Sequence, residues 1–427
     1  FAVRTRIHAM LLQLRPDTDA RHTAALRAHL STLGYDSCPL CYLGPGFYAL
    51  LPLAESEALP TADPAASVRR QFGGIIARLE PLAPAGLAAR ARRPEGTRVL
   101  VDGVEIGAGL VVIAGPCSVE SREQLLATAR GVRAAGAHIL RGGAYKPRTS
   151  TYDFPGLGRR GLELLAEVGA EVGMPVVTEV MAPEDVELVA QHAAMLQVGA
   201  RNMQNFPLLR KLGELGRPVL LKRSPSAPLE EWLAAAEYLL ARGNDQVVLC
   251  ERGIRGFDPH TRNLLDLGGL AAMRQLTHLP VLADPSHATG RRALVGPGAC
   301  AAVGAGADGV CVEVHVRPEE SISDREQAMS PEDLAELVPR LHAIAAAVRP
   351  DGSPSREPRR VHSDRVATKG REIRNGGPLP GSEAARPREA RTGLGLRGPR
   401  AGASPSGKAG AARQGPAPVN RKFPPRK

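Results

Sequence analysis

The strongest constraint on this chain is an alternation. Between residues 110 and 349, short apolar runs recur, each separated from the next by a longer segment with helical periodicity. The apolar runs are Leu110–Ala114, His138–Leu140, Pro175–Thr178, Met195–Val198, Pro218–Leu221, Gln246–Cys250, Pro280–Ala283 and Gly309–Val312. Helical patterns fall at about 122–135, 159–173, 183–193, 204–213, 229–241, 262–274 and 291–304, and a last one spans 331–348. That last helix has its start written in sequence, because Ser330-Pro331-Glu332-Asp333 supplies an N-cap, a proline at the first position and early acids. Runs with no internal polar alternation are strands buried on both faces, which is the signature of a parallel sheet covered by helices. Eight strands and eight helices in about 250 residues predict a (β/α)8 barrel. A doubly wound open sheet is the runner-up, but no glycine-rich dinucleotide fingerprint follows the first strand.

Ahead of the barrel, Val99–Ile106 alternates around Asp102-Gly103, which predicts a hairpin. Residues 10–80 read as strand, helix, two strands (Tyr35–Leu43 and Phe47–Leu53) and a helix at Ser67–Leu79, an order that fits a small ferredoxin-like α+β domain. Residues 81–96, rich in proline, alanine and arginine, read as a linker. After Pro350 the periodicity stops. Residues 351–427 hold 18 Lys/Arg against 6 Asp/Glu, so this segment carries +12 where the whole chain carries +11. The basic character therefore belongs to a tail, which is expected to be disordered because it has too little apolar surface to offset its ordering entropy. Without interleaved aromatics, the tail gives no signature of base stacking and argues against nucleic acid as a partner.

Six cysteines scattered over 427 residues fit a reducing compartment better than a disulfide scaffold. Cys38-Pro-Leu-Cys41 has redox or zinc spacing, but no second pair follows it. No signal sequence or membrane span is legible, so the expected location is the cytoplasm.

Barrel enzymes place their chemistry at the C-terminal ends of the strands. In order, those ends carry Cys117, Arg141 with Lys146, Glu179, Arg201, Lys222, Arg252, His287 and Glu313, with Asp324 on the last loop. Any one of these could be structural; all eight ends being polar is hard to explain by stability alone. Arg141, Lys146, Arg201, Lys222 and Arg252 suit a strongly anionic ligand carrying phosphate and carboxylate. Cys117, His287, Glu313 and Asp324 could converge on one divalent metal through S, N and O donors. By spacing alone a buried core thiol is the commoner reading of Cys117, and His315, two residues beyond Glu313 on the same strand face, is a competing ligand.

These residues lie in recognisable segments: Ala114-Gly-Pro-Cys-Ser118, Leu140 through Ser150, Gly199-Ala-Arg-Asn202, Leu220-Leu-Lys-Arg223, Cys250-Glu-Arg-Gly253, Asp284-Pro-Ser-His287 and Val312-Glu-Val-His315. Together they resemble the signature segments of 3-deoxy-D-arabino-heptulosonate 7-phosphate (DAHP) synthases, in particular the branch with a ferredoxin-like N-terminal domain. The resemblance spans 97–349 in order, thins over 10–80 and is absent from the tail. It implies condensation of phosphoenolpyruvate with erythrose 4-phosphate and release of phosphate, the first step of the shikimate pathway. It also implies Cys117, His287, Glu313 and Asp324 as ligands of a divalent metal (Mn, Fe, Co or Zn), with Lys146, Cys117 and His287 as the catalytic set. Arg141, Lys146, Glu179, Arg201, Lys222 and Arg252 would line the phosphoenolpyruvate site, and Lys146-Pro147-Arg148-Thr149-Ser150 would reach the sugar phosphate. A homo-oligomer, dimer or tetramer, and an aromatic amino acid effector at the N-terminal domain follow from the same resemblance. The rival enzyme is the related 3-deoxy-8-phosphooctulonate synthase using arabinose 5-phosphate, which typically has an Asn-Arg-Ser-type segment where this chain has Pro147–Ser150. The rival from another class is a silent barrel with a nucleic-acid-binding tail.

Overall fold

In the computed structural model, which describes residues 9–53, 63–83, 85–146, 152 and 154–348, the first domain is a βαββαβ unit. It comprises β1 (Met10–Leu14), α1 (Ala20–Thr32), β2 (Tyr35–Pro39), β3 (Phe47–Pro52), α2 (Pro64–Phe72) and β4 (Ile76–Pro81). Its sheet has the order β2-β3-β1-β4 with every pair antiparallel, the ferredoxin-like arrangement. One sequence expectation is corrected here. The helix placed at Ser67–Leu79 starts earlier, because Asp63 caps it by accepting from Ala65 N at 3.0 Å. It also ends at Phe72, and the Gly73-Gly74 pair releases the chain into β4, the sixth element that completes the fold.

The segment read as a linker is packed rather than loose. Leu87 and Ala88 are fully buried, and Ala88 donates its N–H to Glu237 (2.6 Å) while its carbonyl accepts from the Thr277 hydroxyl (2.6 Å). The hairpin follows as β5 (Val99–Val101) and β6 (Val104–Ile106).

The barrel then runs β7 (Val111–Gly115), α3 (Arg122–Ala134), β8 (Ile139–Arg141), α4 (Arg159–Val172), β9 (Val176–Glu179), α5 (Val186–His192) and β10 (Met195–Val198). It continues through α6 (Phe206–Leu215), β11 (Val219–Lys222), α7 (Leu229–Leu240), β12 (Val247–Glu251), α8 (Leu267–Leu276) and β13 (Val281–Ala283). It ends with α9 (Pro285–Thr289), α10 (Arg292–Gly304), β14 (Gly309–Glu313) and α11 (Pro331–Val348). The eight strands β7–β14 close into a parallel barrel in sequence order. Helix α8 begins at Leu267, later than its apolar pattern, because Asp266 accepts from Gly269 N and caps it there. The five-residue α9 was invisible to periodicity, being too short to show one.

The period of two along each strand explains where the site lies. Val111, Ile113, Ile139, Val177, Met195, Leu220, Val248, Cys250, Leu282 and Cys311 form one core inside the barrel, which the hairpin residues Val99, Val101, Val104 and Ile106 close from the strand N-terminal end. The intervening residues, such as Val112, Leu140, Leu221 and Val312, pack outward in the helix layer. Continuing the inward parity by one step past each apolar residue gives Arg141, Glu179, Gln197, Lys222, Asp284 and Glu313. The barrel interior is therefore apolar below and polar at its C-terminal mouth.

The first domain is seated on the barrel. Arg242, just past α7, pairs with Asp36 at 2.8 Å, and the Tyr42 hydroxyl donates to Leu240 O at 3.3 Å. Residues 351–427, expected as a disordered tail, lie outside the described residues.

Candidate active site

At the mouth, Lys146 reaches back from beyond β8 and donates to both the carbonyl (2.9 Å) and the Sγ (2.8 Å) of Cys117. Gly143 makes this crossing possible: a Cβ there would lie 2.6 Å from Cys117 O and 2.8 Å from Lys146 Cδ. Cys117 Sγ stands 3.1 Å from Asp324 Oδ2, and the ligand atoms of Cys117, Glu313 and Asp324 all lie within 4.8 Å of one another. Among the described residues this is the one group of three or more potential ligands so placed. Asp324 holds a left-handed backbone, φ 54°, a conformation that aspartate tolerates better than most residues.

His287, on α9, lies beside this group without entering it, since the mutually close ligand atoms are those of Cys117, Glu313 and Asp324. Its Nε2 is 3.3 Å from Glu313 Oε1, while its Nδ1 is 2.7 Å from Asp284 Oδ2. The ring is thus held between two buried carboxylates, Asp284 and Glu313. Arg141 Nη1 approaches the same Glu313 oxygen at 2.9 Å, yet neither atom has a properly directed hydrogen-bond partner among the described residues. Glu313 is fully buried, and Gln327 Nε2 holds its other oxygen at 2.5 Å.

The electrostatics agree. Burial pushes the Cys117 thiol up to about 12, the Glu313 charge adds to this, and the Lys146 and Arg141 charges oppose it. Burial would also raise Glu313, but His287, Arg141 and Lys146 outweigh it and hold that carboxyl well below the usual range. A thiol that stays protonated on its own, beside an orphaned carboxylate oxygen and a histidine oriented by a carboxylate, fits a borderline divalent metal with mixed S, N and O ligands.

The cationic ring is not uniformly free. Besides Arg141 on Glu313, Lys222 is buried in an ion pair with Asp284. Burial disfavours the Lys222 charge, but Asp284 more than restores it. Burial lowers Arg252; its neighbour Glu251 is locked by Arg223 (2.8 Å) and Gly253 N (2.6 Å). Glu179 accepts from Gln197 at 3.2 Å, and Arg201 lies exposed on a 3-10 turn after β10. Arg148, Thr149 and Ser150 lie outside the described residues.

His315 is removed from the competition. The strand ends at Glu313, so its parity does not carry on. His315 instead accepts from Arg317 N (3.0 Å) through Nδ1 and faces Glu120 at 3.5 Å through Nε2. Cys38 is buried and Cys41 exposed, and neither belongs to a ligand group among the described residues. Sequence reasoning had not singled out Asp284, Gln327, Gln197 or Arg262, which reaches Asp324 Oδ1 at 3.1 Å. Strand parity alone would have found Asp284 and Gln197.

A parallel barrel whose mouth gathers buried cations around a thiol, an imidazole and two carboxylates defines a class: barrel enzymes built for phosphorylated, carboxylated substrates. The chain belongs to the DAHP synthetase I family, whose profile matches residues 91–348. It is 48% identical over 268 residues to the phospho-2-dehydro-3-deoxyheptonate aldolase of Thermotoga maritima, covering 62% of this chain and 79% of that one. A 2-dehydro-3-deoxyphosphooctonate aldolase of Acidithiobacillus ferrooxidans is 33% identical over 267 residues, covering 58% and 93%. The crystal structure of the Thermotoga maritima DAHP synthase aligns with a TM-score of 0.61 at 38% identity, over 80% of this chain and 98% of that one. That coverage of the present chain exceeds the barrel alone.

Proposed function

We infer that this chain is a DAHP synthase, joining phosphoenolpyruvate to erythrose 4-phosphate with release of phosphate. The observation that carries this reading is the meeting of Lys146, Cys117, Glu313 and Asp324 at the mouth of the barrel in a chain of this family. The octulosonate relatives share less identity, 30% to 34% against 48%, so the four-carbon sugar phosphate is favoured over arabinose 5-phosphate.

Arg141, Lys222 and Arg252 would hold the carboxylate and phosphate of phosphoenolpyruvate, with Arg201 and Glu179 on the rim. Glu313 and Asp284 fix Arg141 and Lys222 before any ligand arrives, so little side-chain entropy remains to be lost on binding. Lys146, tethered to Cys117, would serve as proton donor or orienter for the aldehyde oxygen, and Arg148, Thr149 and Ser150 would carry the sugar phosphate. Cys117, His287, Glu313 and Asp324 would hold a divalent ion (Mn, Fe, Co or Zn), which when bound polarises the aldehyde oxygen or acidifies the water that adds to C2. C3 of phosphoenolpyruvate bonds to the aldehyde carbon, water adds at C2, and the phosphohemiketal expels phosphate.

All six cysteines are free thiols, which supports a reducing, cytoplasmic setting, and no helix among the described residues is long and apolar enough to cross a membrane. By its likeness to the branch with a ferredoxin-like N-terminal domain, the chain would form a homo-oligomer regulated by an aromatic amino acid. Phosphate release measured with each sugar phosphate tests the activity. Erythrose 4-phosphate should give much the higher kcat/KM, and equal or reversed values would overturn the reading. Addition of tyrosine or phenylalanine to the same assay should slow the full-length enzyme; an unchanged rate would remove the effector.

A further inference from the structure

The loop carrying Cys117 and the loop carrying Asp324 are joined rung by rung. They follow β7 and β14, which are hydrogen-bonded neighbours in register up to Gly115 and Glu313. Beyond the strands the two segments run side by side in opposite directions. Cys117 Sγ meets Asp324 Oδ2 at 3.1 Å, and the Ser118 hydroxyl meets the Ser323 hydroxyl at 2.7 Å. Glu120 Oε1 then accepts from Ile322 N at 2.9 Å and from the Ser321 hydroxyl at 3.5 Å. Ser321 also closes onto Ser323 O at 2.8 Å. The other oxygen of Glu120 faces His315 Nε2 at 3.5 Å, so the carboxylate also ties the end of β14 to this loop.

These groups are almost wholly sequestered: Ser118, Ser321 and Ser323 are 0%, 1% and 4% exposed. Buried hydroxyls that satisfy one another across two loops, and a carboxylate taking a backbone N–H, are costly to leave unmatched. None of the three serines nor Glu120 belongs to the Cys117–Glu313–Asp324 ligand group. Their common effect is to fix how far apart Cys117 and Asp324 sit, with Asp324 held in its left-handed conformation.

We propose that Ser118, Glu120, Ser321 and Ser323 form a side-chain zipper that sets the metal affinity of the site by holding the thiol and carboxylate ligands in register. Glu120 and the serines are thus positioning residues that touch neither substrate nor ion. The proposal rests on the metal reading of Cys117, His287, Glu313 and Asp324. Partners that orient ligands in this way are worth about 10–100-fold in metal affinity.

Titration of the metal-free full-length protein with Co2+ alone tests it, because a Co2+–thiolate bond gives a near-ultraviolet charge-transfer band that reports ligation by Cys117. The wild type should show the band; if it does not, the metal reading itself fails. Glu120→Gln, and separately Ser118→Ala with Ser323→Ala, should keep the band but weaken Co2+ binding at least tenfold. Thr277→Val, which removes a buried hydroxyl bond at the opposite end of the barrel, serves as a control for general destabilisation and should leave Co2+ affinity unchanged. If the wild type shows the band and the zipper variants bind Co2+ as tightly, the proposal is overturned. It is overturned equally if Thr277→Val weakens binding as much as they do. The paired serine variant leaves no hydroxyl without its partner, so it keeps the test decisive should Glu120→Gln fail to fold.

Discussion

Cys117 shows how far the chemistry of one side chain depends on its neighbours. Within 3.1 Å it meets the ammonium of Lys146 and the carboxylate of Asp324, and burial keeps its proton on in the absence of a stronger cation. Cys117→Ala should therefore abolish phosphate release and most metal uptake. The melting transition should shift only slightly, since truncating one small buried side chain costs about 1 kcal/mol. Metal content, circular dichroism and phosphate release on one preparation distinguish a ligand from a core thiol. Asp284 carries a heavier structural share, because it both orients His287 and neutralises buried Lys222. Asp284→Asn should cost about 3–5 kcal/mol in urea unfolding, as expected when one partner of a buried ion pair is removed. The same variant should bind metal about 10–100-fold more weakly.

At the scale of elements, each strand serves two purposes through one parity. Its lower inward residues fill the barrel, as Ile139, Leu220 and Cys311 do, and its last inward residue enters the site, as Arg141, Lys222 and Glu313 do. The helices were legible where they were long. The start of α11 is encoded in Ser330 to Asp333 and falls where the sequence predicts it. α2 was misplaced because its apolar pattern runs on through the Gly73-Gly74 break into β4. The β5–β6 hairpin was also plain in sequence, but its task was not. It closes the strand N-terminal end of the barrel with Val99, Val101, Val104 and Ile106. Val101 is fully buried there, so Val101→Asp should lower stability by more than about 3 kcal/mol by sequestering an unpaired charge. Thermal unfolding followed by circular dichroism measures it, and an unchanged midpoint would show that the hairpin is not a plug.

For the whole molecule, the junction between the first domain and the barrel passes through Glu237 of α7. Burial pushes its carboxyl up to about 7, against the opposing N–H groups of Ala88 and Leu87. A group whose folded pKa lies above its unfolded value of 4.5 stabilises the fold fully below that lower value and loses this contribution as pH rises through the higher one. Stability should therefore fall between pH 4.5 and about 7, by an amount on the order of 3 kcal/mol. Glu237→Gln should flatten that slope in denaturant titrations at several pH values. Removing residues 351–427 should leave kcat/KM nearly unchanged and abolish any salt-sensitive binding to nucleic acid. A truncated enzyme that no longer turns over would place the tail in the catalytic body.

The sequence by itself determined the barrel, the hairpin and every element of the first domain but β4, because periodicity, turn chemistry and caps are local properties. It also determined which residues stand at the strand ends. Tertiary structure decided which of them meet. Closing eight strands brought Cys117 and Asp324, 207 positions apart, to 3.1 Å, and turned His315 away once its strand had ended. It also paired Arg141 and Lys222 with buried carboxylates, which strand-by-strand reading had left as bare positive charge. Contacts between loops of different strands depend on the register in which the barrel closes, and no single stretch of the chain contains that register.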